Sequence, residues 1–167
     1  MKWSGVLELH SKASSAFADA AAKIHSGEWL VEKEPGKWSP AHVVKHLSLA
    51  YEILLSELGG GAGMMIRTSF WQRTLLRFTM VPKLLRGEPF PKGARAPRET
   101  RPVEVNADQK EAVTAFRKLA AAFEETVQKA YAENSKAKLT HAYFGRANLV
   151  NSVLLCARHV AHHAKHL

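Results

Sequence analysis

Val113, Phe116, Ala120, Phe123, Val127 and Ala130 recur at alternating three- and four-residue steps. That rhythm keeps all six on one stripe of an α-helix, and a stripe this long must be buried against other helices. It predicts a helix opening at Asn106, a residue type suited to capping. Two other segments show the same period. Leu9, Ala13, Phe17, Ala20 and Ile24 predict a first helix from about Ser4 to about His25. In GKWSPAHVVKHL, Ser39 suits an N-cap and Pro40 the first helical position, where its missing N–H costs nothing. Val43, Leu47, Ala50, Leu54 and Leu58 form the stripe of this second helix, and Gly59–Gly61 ends it. A last helix is expected from roughly Arg146 to His166, with Val153, Ala157, Val160 and Ala164 in phase.

Four such helices predict an all-α fold, a four-helix bundle, as a single domain over residues 1–167. A long crossover connection separates helices two and three. Residues 64–86 are amphipathic and partly helical, with Pro82 as a break. The proline-rich run GEPFPKGARAPRETRPVEV then reads as extended chain. A loop containing Tyr143-Phe144-Gly145 precedes the last helix, and no segment shows the alternation of a strand.

At 167 residues and 46% apolar content the chain can bury one sizeable core. No apolar run approaches the roughly 20 residues needed to span a bilayer. The opening MKWSGVLELH lacks a continuous apolar segment and a cleavage site, and Cys156 is the single cysteine. Both features lead us to expect a cytoplasmic protein without an internal disulfide.

The net charge of +9 is unevenly spread: from Arg67 to Arg101 there are nine Lys/Arg, including Lys92, against Glu88 and Glu99, a net of +7. Such a block is either a solvated surface or a match for nucleic acid, anionic lipid or an acidic small molecule. Arg67, Phe70, Trp71, Arg73, Arg77 and Phe78 interleave basic and aromatic residues, as nucleic-acid and membrane binders do. These aromatics are expected to pack the segment on the bundle, which disfavours both partners.

The closing segment, CARHVAHHAKHL, carries histidines at 159, 162, 163 and 166. Residues four apart share a helix face, so His159 and His163 present two imidazoles to one point. Both project to the margin of the apolar stripe; His162 lies nearer the polar side. His46 has the same address on helix two, between Val43 and Ala50, while His42 projects further toward solvent. Three neutral imidazoles around one cation leave a position for water or substrate, as in catalytic zinc sites. An ordinary imidazole pKa places loss of the ion below about pH 6. Each residue also has a plainer reading: an i,i+4 pair arising by chance among nine histidines, a packed His46, and Cys156 as a small buried hydrophobe. His42, His162, His166 and Glu52 are the residues available for proton handling.

Together, three stretches resemble the DinB-like (YfiT-like) family of bacterial four-helix-bundle proteins. WSPAHVVKHL, Trp38 to Leu47, is similar to the family's second-helix signature, which ends in a ligand histidine. HAYFGR, His141 to Arg146, is similar to a turn that some members carry before the last helix. HVAHHAKH, His159 to His166, matches the C-terminal signature. The resemblance implies metal ligands at His46, His159 and His163 and a divalent ion (zinc, nickel or iron). It also implies a small-molecule substrate, such as a low-molecular-weight thiol of the mycothiol or bacillithiol kind, and a homodimer. Many members carry a carboxylate where this chain has His42. The activity so implied is a metal-dependent thiol S-transferase or hydrolase. The alternative is a non-catalytic metal-binding or stress-associated protein whose basic surface meets nucleic acid or anionic membrane.

Overall fold

The computed structural model describes residues 1–91 and 95–167; Lys92 lies outside the described residues. The fold is all-α. Its helices are α1 (Trp3–Ala22), α2 (Pro40–Leu58), α3 (Phe70–Thr79), α4 (Val81–Arg86), α5 (Gln109–Glu133) and α6 (Leu149–Ala164). The bundle consists of α1, α2, α5 and α6. The first helix packs on α6 and α5, α2 packs on α5, and α2 and α6 meet through their histidines. No described helix is long and apolar enough to cross a membrane.

Local chemistry sets the helix ends. Ser39 Oγ accepts the His42 N–H at 3.4 Å, with Pro40 at the first position of α2. The N-cap of α5 is Asp108, which accepts from Glu111 N–H at 2.9 Å, and not the expected Asn106. Asn106 instead accepts from Asp108 N–H in the turn before it, so two side chains two positions apart divide the work of turning and capping.

The core is aromatic at its centre. Tyr51 lies 5.6 Å from Phe116 and 5.4 Å from Phe123, and Phe17 lies 4.8 Å from Phe116. Burying each phenylalanine is worth about 2–3 kcal/mol against leaving it exposed. On α1 the buried line runs through Val6, His10, Ser14, Phe17 and Ala21, whereas Leu9, Ala13 and Ala20, and Ile24 just past the helix end at Ala22, are half-buried. The expected apolar stripe is therefore displaced, because hydrogen-bonded polar residues occupy two positions of the true one.

The long connection holds α3, α4 and a 3₁₀ turn at Arg98–Thr100. Ser69 and Gln72 cap α3 reciprocally. The segment does not bury its aromatics as expected. Phe70, Trp71 and Phe78 are 62%, 78% and 79% exposed, while Arg77 turns back to donate to the Arg146 carbonyl at 2.8 Å. Arginine reaches the backbone of the neighbouring segment, and that polar attachment sets which face of α3 points outward.

A further correction concerns the loop before α6. Lys138–His141 (β1) and Gly145–Asn148 (β2) pair as an antiparallel hairpin, so α6 begins at Leu149, capped by Asn148. Each strand has four residues, too few for a period of two to declare itself. Gly145 is required here: its φ is +70°, and a Cβ would lie 2.5 Å from Arg73 Cδ. On the facing strand, Glu57 on α2 accepts from both the backbone N–H and the hydroxyl of Thr140, at 2.9 and 2.6 Å.

Candidate metal centre

His46 lies on the face of α2 that meets α6 and is only 4% exposed, deeper than the margin its helix phase implied. His159 and His163 are half-buried on successive turns of α6. Ring centroids of His46 stand 5.3 Å from His159 and 5.1 Å from His163, so the three expected ligands are brought together. Their donor atoms lie within 4.8 Å of one another. His46 Nε2 is 3.5 Å from His159 Nε2, and His163 Nε2 is 3.0 Å from the same atom. Zinc–nitrogen bonds of about 2.0–2.1 Å at tetrahedral angles put neighbouring nitrogens about 3.3 Å apart. The donor set is positioned to hold a metal ion.

The tautomer of His46 is determined by its partner. Its Nδ1 lies 2.7 Å from the Thr100 carbonyl, which can only accept, so Nδ1 carries the proton. The Nε2 lone pair then faces the other two rings, the orienting role usual for the outer partner of a ligand histidine. Trp38, the first residue of the WSP motif, packs against this ring at 4.9 Å. Phe90 packs on His159 at 5.4 Å and on His162 at 5.1 Å. Neither aromatic nor Thr100 was recognised as a site residue from sequence. Thr100 acts through its backbone, which no residue pattern reports.

Electrostatics keep the rings neutral. Burial lowers the pKa of His46, against the opposing pull of the Thr100 carbonyl. Burial, then the neighbouring His163, His46, His141 and His162 rings, holds His159 well below the usual imidazole range. Burial brings His163 to about 3, reinforced by His46, His162 and His166. No acidic side chain contributes to any of these shifts. Protons therefore compete poorly for the three nitrogens, and the pH at which they would displace an ion moves below the value expected of free imidazole.

The other histidines differ. His42 Nδ1 bonds Ser39 Oγ at 2.7 Å beside the helix start. His162 faces Phe90, and His166 is exposed beyond the end of α6. Glu52 is exposed on α2 and lies outside the cluster of potential ligands. His141, the first residue of the HAYFGR turn, stacks on Phe144 at 4.3 Å and accepts from the Tyr143 N–H at 3.2 Å. Burial lowers its pKa to about 4.

A second polar cluster lies in mid-core and was not anticipated. His10 Nδ1 bonds Glu124 Oε1 at 2.7 Å, and its Nε2 bonds Tyr51 Oη at 2.7 Å. Tyr51 Oη lies 3.1 Å from Ser14 Oγ, which donates to the His10 carbonyl at 2.9 Å. With His10 protonated, every donor in this chain meets an acceptor. Burial works against that charge, but the half-buried Cys156 and Glu124 outweigh it and raise the pKa to about 9. The available signal was two polar residues, His10 and Ser14, at core spacing on an otherwise apolar helix face.

The family model described as the DinB superfamily matches residues 10–167. No curated protein and no solved structure matches the chain.

Proposed function

The chain belongs to the DinB superfamily, and from that premise we propose a metal-dependent enzyme in which His46, His159 and His163 hold one divalent ion. Zinc, nickel and iron all accept imidazole ligands. The observation that carries this reading is the convergence of three neutral Nε2 atoms from two helices, with spacings of 3.5 and 3.0 Å. The accompanying Nδ1–H bond from His46 to Thr100 supports it.

Three protein ligands leave at least one coordination position for a reactant. A divalent ion there supplies Lewis acidity, lowering the pKa of a bound water or thiol toward neutrality. The chain's own contribution is positional. His46 is held in one tautomer by Thr100, and Trp38 packs against its ring. Phe90 covers His159 and His162, leaving an apolar wall beside the donors. This arrangement suits thiol S-transfer, in which the sulfur is held as thiolate, or hydrolysis. His162 stands 5.4 Å from His163 between centroids and is a neighbouring histidine outside the proposed donor set.

The test is elemental analysis of protein purified without a nickel column, combined with His159→Ala. We expect about one equivalent of divalent metal in the parent and near-complete loss in the variant, together with loss of thiol-dependent turnover. Undiminished metal in His159→Ala would overturn the reading.

One observation favours a second reading, that of a non-catalytic metal-binding protein with a surface partner. The aromatic face of α3 is exposed and lies within the basic segment. Salt-dependent retention on anionic vesicles, with metal bound but no turnover, would support it.

A further inference from the structure

Four arginines from two separated stretches converge on a second feature of the surface. Arg67, Arg95, Arg98 and Arg101 line one open cleft of about 400 Å³, with Tyr143 as its aromatic wall. Glu99 pairs with Arg67 at 2.9 Å, so the four arginines that line the cleft outnumber the one carboxylate paired with them. An excess of positive charge on one concave surface favours an anion there.

The cleft is built rather than draped. Tyr143 Oη donates to the Arg95 carbonyl at 2.6 Å, and the Arg101 guanidinium donates to the Ala96 carbonyl at 3.2 Å. Thr100 N–H donates to the Pro97 carbonyl at 3.1 Å, closing the 3₁₀ turn that carries Arg98. On the facing wall, Arg67 N–H donates to the Ala142 carbonyl at 2.7 Å. Backbone and rim are therefore fixed before any ligand arrives. Between Arg98 and Arg101 stands Thr100, the residue whose carbonyl orients His46. The arginine cleft and the histidine centre share one turn of backbone.

We propose that this cleft binds the multiply charged oxyanion group, phosphoryl or paired carboxylate, of a small-molecule ligand. Planar guanidinium forks match both chemistries, since each presents two acceptor oxygens to a pair of N–H donors. A concave site on one short turn fits a compact anion; a nucleic-acid backbone needs an extended track of charges. That this ligand is the substrate of the neighbouring centre rests on the metal-enzyme reading above. Anion binding itself does not.

The experiment is calorimetric titration of the full chain with inorganic pyrophosphate and, separately, with citrate. It is repeated on His159→Ala and on the double variant Arg95→Gln/Arg98→Gln. We expect binding of at least one probe and its retention in His159→Ala. The double variant should weaken it by about tenfold or more, because each charge-assisted contact is worth at least that factor. Metal content of the double variant should stay at the parent level. Stronger binding of pyrophosphate assigns a phosphoryl group, and stronger binding of citrate assigns carboxylates. Three outcomes would overturn the proposal: no binding of either probe, binding insensitive to the double variant, or loss of binding in His159→Ala, which would place the anion on the metal. Binding of a single-stranded oligonucleotide that pyrophosphate fails to displace would overturn it as well. A metal-free parent that still binds the probe refutes the enzyme reading and leaves the cleft intact.

Discussion

His10 and His46 lie on consecutive helices of one bundle, are 0% and 4% exposed, and have their pKa values pushed in opposite directions. His10 meets a carboxylate at one nitrogen and a phenol at the other, and both partners accept protons from it. His46 meets a backbone carbonyl at Nδ1 and two further imidazoles at Nε2. Burial acts on both rings in the same direction. The neighbours decide the difference: Cys156 and Glu124 together outweigh burial at His10, whereas no acidic side chain contributes to the shift of His46. Fully bonded and charged, the mid-core ring can act only as a strut. Neutral and with a lone pair directed at its neighbours, the rim ring can act as a ligand.

The largest expected effect separates these roles outright. His46→Ala should abolish stoichiometric metal binding and leave the helical circular dichroism nearly unchanged; His10→Ala should do the reverse. The second variant opens the core at His10 and leaves the buried Tyr51 hydroxyl and the half-buried Glu124 without that partner, and we expect it to cost about 2–3 kcal/mol in urea unfolding. If His10→Ala also emptied the metal site at full helicity, the two clusters would be one functional unit and the contrast would fail.

Next in size is the pH dependence of stability in metal-free protein. The folded pKa of His10, about 9, lies above its ordinary value of 6.5. The stability from this ring is therefore fully present below about pH 6.5 and is lost as pH rises through about 9. His163 has the opposite sign: its folded pKa of about 3 lies below 6.5. Its contribution is present above about pH 6.5 and declines as pH falls toward 3. Thermal melts from pH 4 to 10 should show decline on both flanks, and Glu124→Gln should flatten only the alkaline one. An unchanged alkaline flank would mean that Glu124 does not sustain a charge on His10.

The smallest effect concerns the ring beside His46. Trp38→Ala removes a packing partner of a candidate ligand and none of the three imidazoles, so metal affinity should fall about tenfold without loss of stoichiometry. Competition with a chromogenic chelator measures it, and an unaltered affinity would reduce Trp38 to a surface cover.

Much of this could be read before the structure, for a physical reason. Helix period places residues on faces, and His46, His159 and His163 each fall where their helix phases converge. The Ser39–Pro40 start is equally local, because a cap and its first turn lie within four residues. What escaped is non-local. The registration of His10 against Glu124 depends on how α1 packs on α5, and polar residues at core spacing look like surface until their partners are known. The Thr100 carbonyl carries no side-chain signature. The hairpin pairs His141 with Gly145 through a turn too short for strand periodicity. The α3 aromatics were misassigned because hydrophobicity was taken to imply burial, whereas arginines fasten that helix to the hairpin.

The separation of the candidate ligands along the chain has a consequence for synthesis. His46 and His159 stand 113 residues apart. A growing chain emerges amino end first, at about 5–20 residues per second. His46 must therefore wait several seconds, with its ring unmatched, until α6 has left the ribosome. Any product interrupted before that helix would lack two of the three nitrogens and the partner on which α1 packs, so ion capture would mark completed translation of this region.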